Sequence, residues 1–282
     1  MIDPDNRIEE LLSAGFERDL YFACLENASD NSNRLRLSNF AFAMRELMRH
    51  VLNRLAPDES VIQCIWFEQT HQDVGKATGA QKALYAVQGG LSADYVKDVL
   101  GLDVGPIVKH YNAAIRELSQ FTHVTQNVFE LDAESVDESI GATNEAVGEL
   151  FETISSLRKD LGDSLWQHID SAVVNEALSE SIQAFDEAAS HHSVDEVGVE
   201  EVVVFKIDHE MIRFHASGWI TAELQWGSNS DIRNGDGATG SMTSNFECQL
   251  TSPVDDPESV SVDENTLGVE EGPWRMRENE DE

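Results

Sequence analysis

The sequence predicts an α+β protein, and three observations carry that expectation. Apolar residues recur at three- and four-residue spacing through the N-terminal two-thirds of the chain, which is the period of an amphipathic helix. From Ile212 to Trp226 the spacing changes to strict alternation: Phe214, Ala216, Ile220, Ala222 and Leu224 interleave with Arg213, His215, Ser217, Thr221 and Glu223, the pattern of a half-buried strand. Residues 253–282 are acidic and poor in apolar groups, so a disordered tail is expected. The division that follows is an all-helical domain over 1–128, an acidic helical connector over 129–195, a small antiparallel β domain over 196–252, and the tail.

In order along the chain, Ile8, Leu11, Leu12, Phe16, Leu20 and Leu25 define a first helix, with Gly15 as a weak point near its middle. A second runs from about Arg36 to Ala56, with Ser38 or Asn39 as alternative caps, and stops at Pro57. Val61–Phe67 reads either as another helix or as a buried apolar link. Gln81–Val87 is a short helix closed by Gly89 and Gly90, and Ser92 caps a further one over 93–100 that ends at Gly101. Asp103–Pro106 opens a helix that should run to Phe121 or His123. Its polar face carries Lys109, Asn112, Arg116 and His123. Two apolar series, Val136 to Leu161 and Leu165 to Phe185, suggest a helical hairpin or one long helix broken near Gly162. Strands are expected at EVVVFKID, at Ile212–Trp226 with a bend at Gly218, and at Phe246–Leu250. The segment GSNSDIRNGDGATGS between the last two reads as a turn-rich loop.

The charge is extreme. The 53 Asp and Glu residues oppose 19 Lys and Arg for a formal net charge of -34, and the acid is spread along the chain rather than collected in a tail. Concentrated salt screens the self-repulsion of such a surface, so a halophilic setting is the first explanation, ahead of a basic partner. General attraction to a polyanion is excluded, and any nucleic acid would have to be held by local cationic clusters. Cys24, Cys64 and Cys248 form no CxxC pair, which argues against structural zinc and a disulfide framework and fits reduced cytoplasmic thiols. The first residues lack the apolar core of a secretory signal, and no apolar run approaches ~18 residues, so no membrane span is expected.

Against this background residues 34–54 reverse sign. Arg34, Arg36, Arg45, Arg49 and Arg54 face one acid, Glu46. On a helix Phe40, Met44, Leu47, Met48, Val51 and Leu52 gather on one side, while Arg45, Glu46, Arg49, His50, Asn53 and Arg54 occupy the other. A cationic, imidazole-bearing stripe suits an anion, phosphate above all; the plainer reading is a solvated face whose arginines pair with neighbouring acids. RNA can be cleaved without metal by a group that takes the 2′-hydroxyl proton, a group that protonates the leaving oxygen, and a cation that offsets charge in the transition state. Arg116 and His123, seven residues apart, return to within about 20° on a helix, whereas Arg45 and His50 diverge by about 140° unless Arg49 bridges them. These four are the catalytic candidates, with Arg49, Arg54, Lys109 and Asn112 as nucleic-acid-binding candidates.

The Arg-x4-6-His spacing on helices of an all-helical domain resembles the HEPN superfamily of nucleotide- and RNA-directed proteins. Longer strings, AMRELMRHVLNRLAPDESVIQCIWF, KALYAVQGGLSADYVKDVLGLD, ELSQFTHV and AELQWGSNSDIRNGDG, resemble a family of predicted nucleases associated with prokaryotic PIWI proteins. That resemblance covers most of residues 10–250. It implies a HEPN-like helical domain in which Arg116, or Arg45, binds phosphate and His123, or His50, acts as acid or base. The residue after each arginine is Glu (Glu46, Glu117), where Asn, Asp or His is more usual. The implied role is antiviral defence, with RNA or another nucleic acid as substrate, a PIWI-like protein as partner, and a homodimer in which two motifs share a cleft. The alternative is a non-catalytic nucleic-acid- or protein-binding module of a defence complex.

No cofactor and no metal site is expected. His191 and His192, near Asp195 and Glu196, could chelate a metal but read as an exposed linker. Asp231, Asn234 and Asp236 could hold calcium but lack EF-hand spacing and read as a hairpin turn. Trp219 and Trp226 lie on opposite strand faces and read as packing groups.

Overall fold

The computed structural model describes residues 2–179 and 182–270 and the backbone of 274–276. The chain is α+β and divides into two compact units, residues 1–157 and 158–282.

The first unit is helical. The expected first helix is two, α1 (Asn6–Glu9) and α2 (Phe16–Ser29), parted where Gly15 adopts φ 82°. That left-handed backbone suits glycine and would strain most other residues. Helix α3 (Arg36–Leu55) starts after Leu35 with no side-chain cap, so neither Ser38 nor Asn39 caps it. Both lie inside its first turn, and Ser38 is buried. Its apolar face is fully buried: Phe40, Met44, Leu47 and Val51 have no exposed surface. Each such side chain contributes about 1.5–3 kcal/mol relative to exposure.

Pro57 ends this helix and opens the single turn α4 (Asp58–Val61). The ambiguous apolar segment beyond is a partly buried link with Ile65 turned to solvent: Cys64, with Trp66 and Phe67 beside it, packs on Ala56, Val61, Ala77 and Tyr85, and Trp66 Nε1 donates to the Gly89 carbonyl at 3.0 Å. Helix α5 (Gly79–Gln88) begins earlier than expected because Thr78 and Gln81 form a capping box. Ser92 caps α6 (Ala93–Asp98) and Asp103 caps α7 (Val104–Phe121), as their residue types predict. A single turn, α8 (Gln126–Phe129), leads to the 32-residue α9 (Ala133–Ser164). Helices α2, α3, α5 and α7 pack side by side, α3 lying against the other three.

In the second unit the helical run breaks at Leu165, before α10 (Trp166–Ser179), three residues beyond Gly162 and so near the expected place. Gly162 itself stays helical and lies against strand β1, where a Cβ would sit 3.7 Å from the side chains of Val202 and Val204. A short α11 (Gln183–Ala188) follows. His191 and His192, expected in a linker, open β1 (His191–Ile207). The strand pairs antiparallel with β2 (Met211–Trp226), and β2 with β3 (Ala238–Pro253).

Strand β2 is continuous through Gly218, where a bend was expected. The glycine is there for close approach: a Cβ at 218 would collide with the Gly198 carbonyl oxygen and stand 2.9 Å from the Phe246 ring. Irregularities at Val194/Glu196, Val199/Glu201 and Val204/Lys206 coil β1 against its straighter partner. The loop expected between β2 and β3 contains a helix, α12 (Asn229–Asn234), opened by a Ser228–Asp231 capping box and closed by Gly235. Asp231 is thereby committed to Ser228 rather than to a cation.

Residues 254–270, expected to be without structure, return to the sheet instead. Strands β4 (Ser261–Val262) and β5 (Gly268–Val269) pair with β3, as does β6 (Trp274–Met276). Their acids are spaced by turns whose backbone bonds to β3 offset the shortage of apolar groups, as when Asp263 N donates to Gln249 O. The rest of the expected tail lies outside the described residues. Ile212, Phe214, Ile220 and Leu224 bury one face of the sheet, against which α10 and α11 pack, and the other face is mainly polar, with Val203 and Trp219 among its polar groups.

Candidate active site

The arginines of residues 34–54 separate into two kinds once their partners are known. Three are structural. Arg34 donates to the Phe129 carbonyl at 3.1 Å and lies 4.1 Å over the Phe129 ring, fixing α8. Arg36 is 6% exposed; it donates to the Ala28 carbonyl and pairs with Asp137 at 2.7 Å. Arg54, a nucleic-acid-binding candidate, grips Glu17 through Nε (3.0 Å) and Nη2 (2.7 Å) and also donates to the Leu11 carbonyl.

Burial pushes the Glu17 carboxyl upward, yet the Arg54 guanidinium and the Ser13 amide outweigh it and hold the group below the usual carboxylate range. A depressed folded-state value means that this stability is present above the unfolded value of about 4.3. It is lost as pH falls through the folded value. Arg54→Ala is therefore expected to destabilise the protein by about 2–3 kcal/mol at neutral pH, below the fully buried limit because Arg54 is partly exposed. Denaturant unfolding of the variant should give that loss at pH 7 and a smaller one in acid; a loss equal at both would contradict the pairing.

The remaining groups face solvent. Arg45, half-buried, has no carboxylate in hydrogen-bonding range among the described residues and points at the end of α7, its Nη1 lying 3.5 Å from Thr122 Oγ1. Thr122 is the C-cap of that helix, and its hydroxyl donates to the Ser119 carbonyl. The exposed His123 follows at once. Helix α7 thus ends two residues short of the imidazole, so the turn rather than the helical period sets its direction. Arg116, exposed, has no hydrogen bond or ion pair among the described residues.

A second grouping surrounds His50. Arg49 Nη2 donates to Glu46 Oε2 at 2.7 Å and lies 3.4 Å from His50 Nε2. A guanidinium only donates, so a hydrogen bond across this contact would use Nε2 as its acceptor. The imidazole also meets the Phe16 ring edge-on at 4.9 Å between centroids. Arg49 holds the Glu46 carboxyl below its ordinary range, with lesser pulls from His50 and Arg45.

Arg45 is therefore brought to the His123 end of α7 rather than to His50. Lys109 is exposed and Asn112 turns its amide back to the Val108 carbonyl, a bond within its own helix. Thr122 and the exposed Phe16 and Phe42 were not anticipated as site residues. Phe42 had a readable signal, an apolar residue on the polar side of α3. A cavity of about 370 Å³ elsewhere in this unit is lined by Arg36, Asp137 and Asn144, but by none of the catalytic candidates. Among the described residues no three His, Cys, Asp or Glu are grouped to hold a metal ion, and no helix is long and apolar enough to cross a membrane.

Residues 9–146 and 154–275 match two family models, each described as a predicted pPIWI-associating nuclease. The chain belongs to this family. The two matched segments meet inside α9, within a few turns of the boundary between the compact units. Neither the curated proteins nor the solved structures hold a match to the chain. Membership in a family of predicted nucleases associated with pPIWI fits a part in prokaryotic defence.

Proposed function

We propose that this pPIWI-associating protein is a cytoplasmic, defence-associated endoribonuclease whose first unit, HEPN-like in its Arg and His spacing, cleaves RNA without metal. The observation that carries this is Arg45: a guanidinium free of carboxylate contact among the described residues, extended from α3 to the end of α7 where His123 is exposed. Arg45 would meet the phosphate undergoing substitution, where a fixed cation stabilises charge that develops in the transition state. His123 would exchange a proton with the 2′-hydroxyl or the leaving oxygen, for which an imidazole is suited near neutral pH. Arg116 would hold a neighbouring phosphate. His50, with Nε2 facing Arg49, would accept a proton there only after that contact opens, and it serves as the second acid–base group.

The test is RNA cleavage at high salt in EDTA. Wild type is expected to cleave, and Arg116→Ala to lose roughly threefold to fivefold, the size of one exposed charge contact. Absence of cleavage in wild type, or cleavage only after a divalent cation is restored, would overturn the reading. A homodimer with two such sites facing one cleft is part of the proposal; sedimentation showing only monomer at assay concentration would remove it.

A further inference from the structure

The site region combines cationic groups with aromatic rings that no packing requirement explains. Phe42 is 63% exposed and Phe16 is 60% exposed. By contrast a face of the Phe129 ring is covered by the Arg34 guanidinium. On α3, Phe42 lies within about 20° of Arg49, about 60° of Arg45 and about 40° of Glu46, so one helical face presents a phenyl ring among the guanidinium groups. Phe16, at the first turn of α2, meets His50 edge-on, and His50 lies about 80° around α3 from Phe42, so the second ring flanks the first on the Glu46 side. Glu46 is the carboxylate among them, and Arg49 neutralises it.

We propose that this face is a base-stacking platform for a single-stranded nucleic acid, with bases laid on Phe42 and Phe16 and phosphates held by Arg45 and Arg49. The proposal rests on the nucleic-acid reading of the same site. The chemistry is paired: an aromatic ring accepts any base through its π face, a guanidinium accepts the backbone, and a chain of net charge -34 has no general field to attract the polymer. Stacking also operates in concentrated salt, where phosphate contacts alone weaken. Only unpaired bases can reach the rings, so a duplex is excluded by the same geometry.

The experiment measures fluorescence anisotropy of a short fluorescein-labelled oligoadenylate, free or annealed to oligouridylate, in EDTA and high salt with the full chain. Phe42→Ala and Phe16→Ala should each weaken binding of the free strand about tenfold, as loss of one base stack does. Phe42→Trp should retain binding, and the annealed strand should bind more weakly than the free one. Because both rings are exposed, thermal unfolding should be unchanged. Unaltered affinity in the double alanine variant, equal binding of the duplex, or no binding by wild type would overturn the platform, the last indicating that these rings meet a protein instead. Cleavage followed in the same samples separates the two ideas. Phe-dependent binding without cleavage keeps the platform and removes the nuclease, whereas cleavage at unchanged KM with both rings replaced does the reverse.

Discussion

His123→Ala is expected to lower kcat for RNA cleavage by about 10²–10⁴-fold, the usual loss when a positioned acid or base is removed. Thermal unfolding should not change, since the exposed imidazole has no hydrogen bond or ion pair among the described residues. Arg45→Ala should cost about 10²–10³-fold, as removal of one fixed transition-state donor does. Arg45→Lys should recover only part, because an ammonium cannot keep the flat fork that spans Thr122 and a phosphate. The double variant should fall little further than His123→Ala alone, since two groups acting on one phosphate lose their effect together. Single-turnover rates and unfolding curves on the same preparations decide the matter. Arg54→Ala should show the opposite signature, a loss of stability with near-normal cleavage. Rates unaffected by His123→Ala, or an Arg45→Ala rate that falls only in step with folding, would make this stripe a scaffold.

That contrast among arginines of one helix shows where sequence reading stops. The polar face of α3 was legible because its residues are local to one another and the helical period orders them. Which arginines are spent on structure was not, because their partners are remote in sequence: Glu17 is 37 residues from Arg54, and Asp137 stands beyond five intervening helical elements from Arg36. The pairing of Arg45 with the His123 end of α7 was hidden for the same reason, being a product of helix packing. The Ser92 cap was visible because a capping side chain acts within three residues. The sheet was recognised from β2, whose alternation is regular. Its extent was understated because three irregularities in β1 repeatedly shift the inward-facing register, and because β4 and β5 are held by pairing with β3 rather than by their own composition.

The second unit supplies the largest expected effect on stability, Gly218→Ala. Gly218 sits in the central strand, pairing with Val199 and Phe246, and a methyl group there meets the Gly198 carbonyl oxygen, which is backbone and cannot rotate away. Relief would require β1 and β2 to part at their middle, where Phe246 also closes in at 2.9 Å. Overpacking of a well-filled interior costs about 1–3 kcal/mol, and a backbone collision inside a sheet belongs at or above the upper end. Gly198→Ala should act differently. The added methyl would stand 2.6 Å from the Trp219 ring, and a side chain on the polar face of the sheet can swing aside. Gly198→Ala is therefore expected to cost less while changing tryptophan fluorescence, and Gly218→Ala to lower the denaturation midpoint steeply. Equal losses in the two variants would mean that Trp219 is as fixed as the backbone beneath it, and that the polar face is packed rather than open.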